Sequence, residues 1–482
     1  MLHEDRLFPA NEATRAIARR IYEGIEDLPI VSPHGHTQAG WFVRNEPFPD
    51  PVTLLVQPDH YIFRMLYSQG ISLDELEIPP QRLRPVAGDP GGKTPVKDPR
   101  KVWHIFASNY HLFRGTPSRL WLDYVFEKLF GLTERLSAKT ADMYYDTIES
   151  KLRTPDFLPR ALYERFGIEV LSTTDSPLDS LEDHKAVRES GWKGRILPTF
   201  RPDATVDPAV PGFQENVAAL GKLTGEDTAS WSGYLRALAV RRQYFKSMGA
   251  TATDHGHPTA RTADLSESKA EWVFGKVLAG EADAEHEELF RAQMLTEMAR
   301  MSLEDGLVMQ IHPGSVRNHN AQLYAKYGRD MGADIPMPTD YVHALKPLLD
   351  RFGNEPGLSI ILFTLDETAF GRELAPLAGH YPCLRLGPPW WFFDSPEGMR
   401  RFRELVTETA GFYNTVGFND DTRAFLSIPA RHDVARRSDA AFLARMVAEH
   451  LLDEDEAVEL AQELTVGLVR KAYKLEAVRS KE

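Results

Sequence analysis

The chain has 482 residues, 42% hydrophobic and 26% charged, and its 56 Lys+Arg against 70 Asp+Glu give a formal net charge of −14. General disorder is excluded, because a chain of this make-up buries a sizeable core. A nucleic acid or an anionic membrane is disfavoured as partner, since both need a basic footprint, while a small anion needs only a local group of arginines.

At the N-terminus, His3-Glu4-Asp5-Arg6 is charged and no apolar run follows, so the segment does not read as a signal peptide. The first apolar run, Leu28–Ser32, leads to His34 and His36. The second, Ile168–Thr174, ends at Asp175, and the third, Arg195–Phe200, ends at Arg201. The fourth, Gly249–Thr253, diluted by Gly and Ala, ends at Asp254-His255, and the fifth, Leu307–Ile311, at His312. The sixth, Leu358–Thr364, leads to Asp366, and the seventh, Leu384–Gly387, to Pro388-Pro389-Trp390. The eighth, Asn414–Phe418, ends at Asn419-Asp420-Asp421. Short runs apolar on both faces predict buried parallel strands. The longest, around Leu358–Leu365, is far below the ~18 residues of a membrane span.

Helical patterns separate most runs: Glu285–Glu304 and Met399–Thr409 are amphipathic, and Lys346–Phe352 fills the gap before the sixth. Strand–helix alternation over eight runs predicts an α/β fold, a (β/α)8 TIM-like barrel. Roughly 135 residues separate the first two runs, where a strand–helix unit takes about 30. A large helical insertion after strand 1 accounts for the excess, with helices over Pro117–Leu132 and Thr140–Leu152 and an irregular loop at Pro85–Arg100. The tail after Ser438 predicts two C-terminal helices, Asp439–Leu452 and Asp455–Lys474. The organisation expected is therefore 1–44, an N-terminal helix and strand 1; 45–150, the inserted helical domain carrying active-site residues; 151–438, the rest of the barrel; and 439–482, helices covering its wall. The single cysteine, Cys383, allows no internal disulfide and reads as a small buried residue. It suits a soluble protein of the cytoplasm, and the insertion offers a surface for a homo-oligomer.

Function in such a barrel sits at the C-terminal ends of the strands. The residues there are His34, His36, Asp175, Arg201, Asp254, His255, His312, Asp366, Asp420 and Asp421. Histidine, carboxylate and arginine dominate, as a metal and an anion require. In an extended segment residues i and i+2 point the same way, so His34 and His36 can reach one ion, and imidazole with carboxylate suits zinc. With 16 His in the chain, chance supplies roughly half of one such pair, and His255-Gly256-His257 is a second. Position separates them: a closed barrel sets the first strand beside the eighth, which brings Asp421 to His34 and His36. Arg201 and Arg423 can hold a carboxylate by paired hydrogen bonds. Asp59-His60-Tyr61 offers acid–base capacity, although by spacing alone it reads as a helix start. Trp390-Trp391 can wall a sugar face, whereas Phe392 and Phe393 read as packing. No lysine ends the fourth strand to form a bridging carbamate, and no Gly-rich loop supports phosphate binding.

Taken in order, Ser32-Pro33-His34-Gly35-His36, Asp59-His60-Tyr61, Phe200-Arg201-Pro202-Asp203, Thr253-Asp254-His255-Gly256, His312 to Asn318, Trp390-Trp391-Phe392 and Asp420 to Ser427 with the nearby Arg431-His432 resemble the uronate isomerase (glucuronate isomerase) family of the amidohydrolase superfamily. The resemblance runs over about residues 5–475. It implies one divalent metal ion, zinc by preference, on His34, His36 and Asp421, with His312 close by or as a weaker fourth ligand. It implies catalytic roles for Asp421, Tyr61, His60 and Arg423, and substrate contacts from Arg201, His312, Arg317, Trp390 and Trp391. The implied reaction is aldose–ketose isomerisation of D-glucuronate to D-fructuronate, and of D-galacturonate to D-tagaturonate, through a cis-enediol. The runner-up is a mononuclear metal-dependent hydrolase acting on an amide or ester of a small acid.

Overall fold

Seven of the eight apolar runs carry a parallel strand. In chain order the strands are β1 (Ile30–Ser32), β2 (Ile168–Ser172), β3 (Ile196–Leu197), β4 (Ala252–His255), β5 (Val308–Ile311), β6 (Ser315–Val316), β7 (Ile335–Pro336), β8 (Ile360–Leu362) and β9 (Leu384–Leu386). The computed structural model describes residues 2–80 and 96–475. Two parallel sheets, ordered β1-β2-β3 and β4-β5-β8-β9, make a mixed α/β fold; β6 and β7 form a separate antiparallel pair. Single bridges Asp175↔Phe200 and Phe200↔Thr253 carry the parallel pairing from the first sheet to β4.

The eighth run is a correction. It is not a strand: only Thr415 bridges to Leu386, and Val416 N donates to Leu386 O at 3.1 Å. Gly417, at φ +77, turns the chain out of extended conformation. A Cβ there would lie 2.5 Å from Leu464 O, so the backbone passes too close to a neighbouring helix to continue a ladder. The turn nevertheless delivers the next residues to the end of β1, where His36 N donates to Thr422 O at 3.1 Å.

Helices fill the stretch between β1 and β2, among them His60–Ser68, Pro99–Ser108, Pro117–Tyr124 and Ala141–Leu152. Pro99 opens a helix inside the expected Pro85–Arg100 loop, whose residues 85–95 lie outside those described. Asp59 caps His60–Ser68 by accepting from Tyr61 N, so Asp59-His60-Tyr61 is a helix start as its spacing reads. Burial on these helices is continuous with the strands: Trp103, Phe106, Tyr144 and Ile148 share one apolar core with Ile30, Ile168 and Leu171. A second core joins Met309, Ile311, Ile360 and Leu384, with Cys383, to the helices Trp231–Ser247, Ala284–Asp305 and Pro396–Ala410. Among the described residues no helix is long and apolar enough to cross a membrane.

The C-terminal helices also need correcting. No helix begins at Asp439; one helix runs Ile428–Ala448, with Pro429 in its first turn. Its polar run is not a solvated loop, because Arg431, His432, Asp433, Arg436 and Arg437 are all buried and paired. Arg436 donates to the carbonyls of Glu26, Leu28 and Pro29, while Asp433 accepts from Tyr22 Oη at 2.6 Å. This helix therefore clamps the N-terminal helix Glu12–Glu23 and the entry to β1. The second C-terminal helix begins at Glu454 behind an Asp453 capping box.

Candidate active site

Strand register decides which polar residues meet. β4 pairs with β5 in step, Asp254 opposite Gln310 and His255 opposite Ile311. Side chains alternate along β4, so Asp254 faces the cavity and His255 the wall, where Thr253 Oγ1 lies 3.0 Å from its Nε2. His312 follows β5 directly and lies with its Nδ1 2.7 Å from Asp254 Oδ1. Its ring stacks on Phe363 with centroids 4.1 Å apart. Gly387 makes this possible, since a Cβ there would fall 2.4 Å from the Phe363 ring.

His34 and His36 leave β1 side by side. Their Nε2 atoms lie 3.4 Å and 3.0 Å from Asp421 Oδ1. Asp421 itself sits at φ +39, an uncommon conformation for a non-glycine residue. Trp391, Asn318 and Asp330 are also left-handed and line the same cavity. Backbone strain of this kind gathers at functional sites.

Two donor groups share His34: His34 with His36 and Asp421, and His34 with Asp254 and His312. Within each, the donor atoms lie within 4.8 Å of one another. His34 Nδ1 and His312 Nε2 are buried without a hydrogen-bond partner. Buried polar atoms left in this state call for a further group. The donors fit a divalent cation.

The electrostatics agree. Burial alone would push the Asp421 carboxyl up, but His34 and His36 hold it well below the usual carboxylate range. Burial is likewise overridden at Asp254, by Arg201 and His312. Burial pushes His312 and His36 down, which leaves neutral imidazoles free to donate a lone pair.

Arg201 and Arg423 enter from the side. Arg201 is committed to two carboxylates, Nε to Asp203 at 2.8 Å and Nη1 to Asp254 at 2.9 Å. Arg423 meets Asp330 at 2.9 Å and is 39% exposed. Over the mouth, His60 lies against Tyr61 and Trp391, with centroids 5.0 and 5.1 Å away. Burial lowers His60 to about 3 and raises Tyr61 well above its ordinary value. Tyr61 Oη reaches Asp394 at 3.5 Å, whose other oxygen accepts from Arg431 at 2.7 Å.

All eleven residues singled out for catalysis, substrate or metal border one cavity of roughly 930 Å³. Arg317 sits at its edge, paired with Asp334 at 3.1 Å. Of the other strand-end candidates, Asp175 borders the cavity, whereas Asp366 accepts from Thr339 N and Thr368 N, and Asp420 pairs with His432 at 3.1 Å. The His255-Gly256-His257 pair lends the cavity only Gly256. Arg431, which belongs with His432 to the motifs of the family resemblance, and Asp330, which was not anticipated, also border the cavity, and Asp394 stands behind Arg431. They come from loops and a helix that carry no strand-end signal.

Comparisons with known proteins place the chain in a family. The family model described as glucuronate isomerase matches residues 10–471. A uronate isomerase of Phenylobacterium zucineum is 63% identical, over 98% of this chain and 97% of its own. The crystal structure of a glucuronate isomerase from Caulobacter crescentus is 60% identical, with a TM-score of 0.96 over 99% of this chain and 98% of its own. A uronate isomerase structure from Thermotoga maritima, 28% identical, has a TM-score of 0.89 over 98% of this chain and 99% of its own. With a match that spans both the His34–His36 end and the Asp421–Arg423 end of the cavity, the chain belongs to the glucuronate isomerase family.

Proposed function

We propose that this chain interconverts D-glucuronate and D-fructuronate, and also D-galacturonate and D-tagaturonate. The observation that carries the reading is the set His34, His36 and Asp421 beside Arg423, at the base of a cavity roofed by His60, Tyr61 and Trp391. The reaction moves a proton from C2 to C1 through an enediol, and the charge that develops on O1 and O2 must be stabilised. A divalent ion, zinc in this reading, would be held by His34, His36 and Asp421 and would supply Lewis acidity toward the sugar oxygens.

The protein's own groups have separable tasks. Arg423 anchors the C6 carboxylate, because Arg201 is already shared between Asp203 and Asp254. Arg201 and His312 border the reacting end, Arg317 the outer end, and Trp390 and Trp391 pack against the sugar. Asp421 is ionised and Tyr61 protonated at neutral pH, so one accepts protons and the other donates. His60, neutral, serves ring opening with Tyr61. Two features of the molecule complete this reading. The two parallel sheets are parts of one (β/α)8 barrel, and 45–150 is an inserted helical domain that supplies His60 and Tyr61. The protein works in the cytoplasm, as a homo-oligomer. The hydrolase alternative is not favoured, because relatives that match over nearly the whole length are named as isomerases.

The test is to incubate the protein with D-glucuronate in D2O and follow the products by NMR. The expected result is fructuronate carrying deuterium at C1. Absence of ketose refutes the reading, and ketose that carries the substrate's C2 hydrogen at C1 with no deuterium replaces proton transfer by hydride shift.

A further inference from the structure

Asp330 is an odd neighbour for an anion-binding arginine. It lies between the helix Ala321–Tyr327 and β7, lines the cavity, and points a carboxylate at Arg423 with 2.9 Å between Oδ2 and Nη2. Its backbone is left-handed, at φ +64. Asp adopts that conformation more readily than most residues, and the surroundings hold it there. The loop is indeed held: at Gly332 a Cβ would lie 2.7 Å from Arg64 and 3.1 Å from His60 O. Asp334, on the same loop, does a different job. It is buried, accepts from Asn318 N at 2.7 Å and fixes the hairpin. Asp330 and Arg423 are each 39% exposed, so their pair faces the cavity.

We propose that Asp330 is an internal counter-ion: it occupies Arg423 in the empty cavity and yields that guanidinium to the substrate carboxylate. The inference rests on the reading of Arg423 as the uronate anchor. Its chemistry is an exchange of one carboxylate for another, with no covalent step. An anion that offers charge alone, such as acetate or inorganic phosphate, gains no more from Arg423 than it takes from Asp330. A uronate adds contacts along its hydroxyl chain, and these carry the exchange forward. Asp330 therefore keeps simple anions off the site at the expense of some uronate affinity.

The experiment uses the full chain with its metal. Asp330→Asn removes the charge and keeps a residue that tolerates φ > 0. Two constants are measured: inhibition of glucuronate turnover by acetate, and calorimetric binding of L-gulonate, the non-isomerisable alcohol formed by reducing glucuronate at C1. Asp207→Asn is the control for a general loss of negative charge, since Asp207 borders the same cavity but pairs with Arg291 at 3.0 Å. In Asp330→Asn both constants should fall roughly fivefold or more, while Asp207→Asn moves neither by as much as twofold. Weaker L-gulonate binding in Asp330→Asn, or acetate inhibition equal to the parent's, overturns the proposal; so does an equal shift in Asp207→Asn. Failure of the underlying reading looks different. A parent that makes no ketose refutes the isomerase, and a parent that makes ketose after Arg423→Met refutes the anchor, whatever Asp330→Asn does.

Discussion

Gly256→Ala adds one methyl group and tests how tightly the arginine wall is set. A Cβ at position 256 would lie 2.3 Å from Arg201 Nη2 and 2.8 Å from Asp203 Oδ2. Carbon needs about 3.5 Å, so the guanidinium must retreat by roughly 1 Å. Arg201 cannot move without stretching its contacts to Asp203 at 2.8 Å and Asp254 at 2.9 Å. At an effective dielectric constant of about 20, stretching one such contact by about 1 Å costs about 1.5 kcal/mol. If the loss appears at the transition state, kcat/KM for glucuronate falls roughly tenfold for one stretched contact and roughly a hundredfold for two. The assay is steady-state isomerisation followed by coupling to a ketose reductase, together with thermal unfolding. Gly275→Ala is the comparison. That glycine lies inside the helix Glu267–Leu278 with nothing within 4 Å of a Cβ, so alanine there should stabilise by about 1 kcal/mol and leave kinetics alone. A Gly256→Ala enzyme within twofold of the parent, with an unchanged Tm, would refute the claim that Arg201 is fixed in place.

Removing the cation by chelation should lower Tm, and readdition should restore it as RT ln(1 + [ion]/Kd), about 2.7 kcal/mol at a hundredfold excess; elemental analysis should find no stoichiometric ion in His36→Ala. Asp394→Asn leaves Arg431, only 2% exposed, without its carboxylate, so chemical denaturation should show a loss of about 3–5 kcal/mol. Asp394→Leu/Arg431→Met should recover much of that loss, and a single variant within 1 kcal/mol of the parent would count against the buried pair. His255 is fully buried, and burial lowers its pKa to about 3 against an ordinary 6.5. A depressed histidine pKa means the unfolded chain takes up the proton first, so stability falls as pH drops below 6.5, by about 2 kcal/mol at pH 5. His255→Gln should flatten that part of the Tm–pH curve, and an unchanged curve would assign the loss to other groups.

The strand ends were legible because a strand buried on both faces must be apolar, and the first polar residue after it marks the cavity. This gave His34, His36, Arg201, His312 and Asp421 directly. It also gave Asp254, but the contact of Asp254 with His312 depends on the register of β4 against β5, which no spacing in one chain reveals. The eighth run failed as a strand because its apolar residues serve packing around a turn at Gly417 rather than a ladder. The helix Ile428–Ala448 starts eleven residues ahead of the expected Asp439, and only the fold supplies the buried partners of Arg431 to Arg437 that let this charged stretch sit inside it. Asp330 and Asp394 stand on loops, where periodicity carries no information.

The clamp of the helix Ile428–Ala448 on the entry to β1 has a kinetic consequence. His34 and His36 emerge from the ribosome some 385 residues before Asp421 and the helix that steadies β1. Until then β1 lacks one flank, and the donors cannot assemble. Pairings this distant along the chain are slow to form, and a vectorially growing chain keeps unfinished apolar surface in water meanwhile. Truncation just before Ile428 would therefore leave more than an inactive enzyme: it would leave a chain whose β1 entry stays unflanked and whose apolar surface stays in water, a standing client for chaperones.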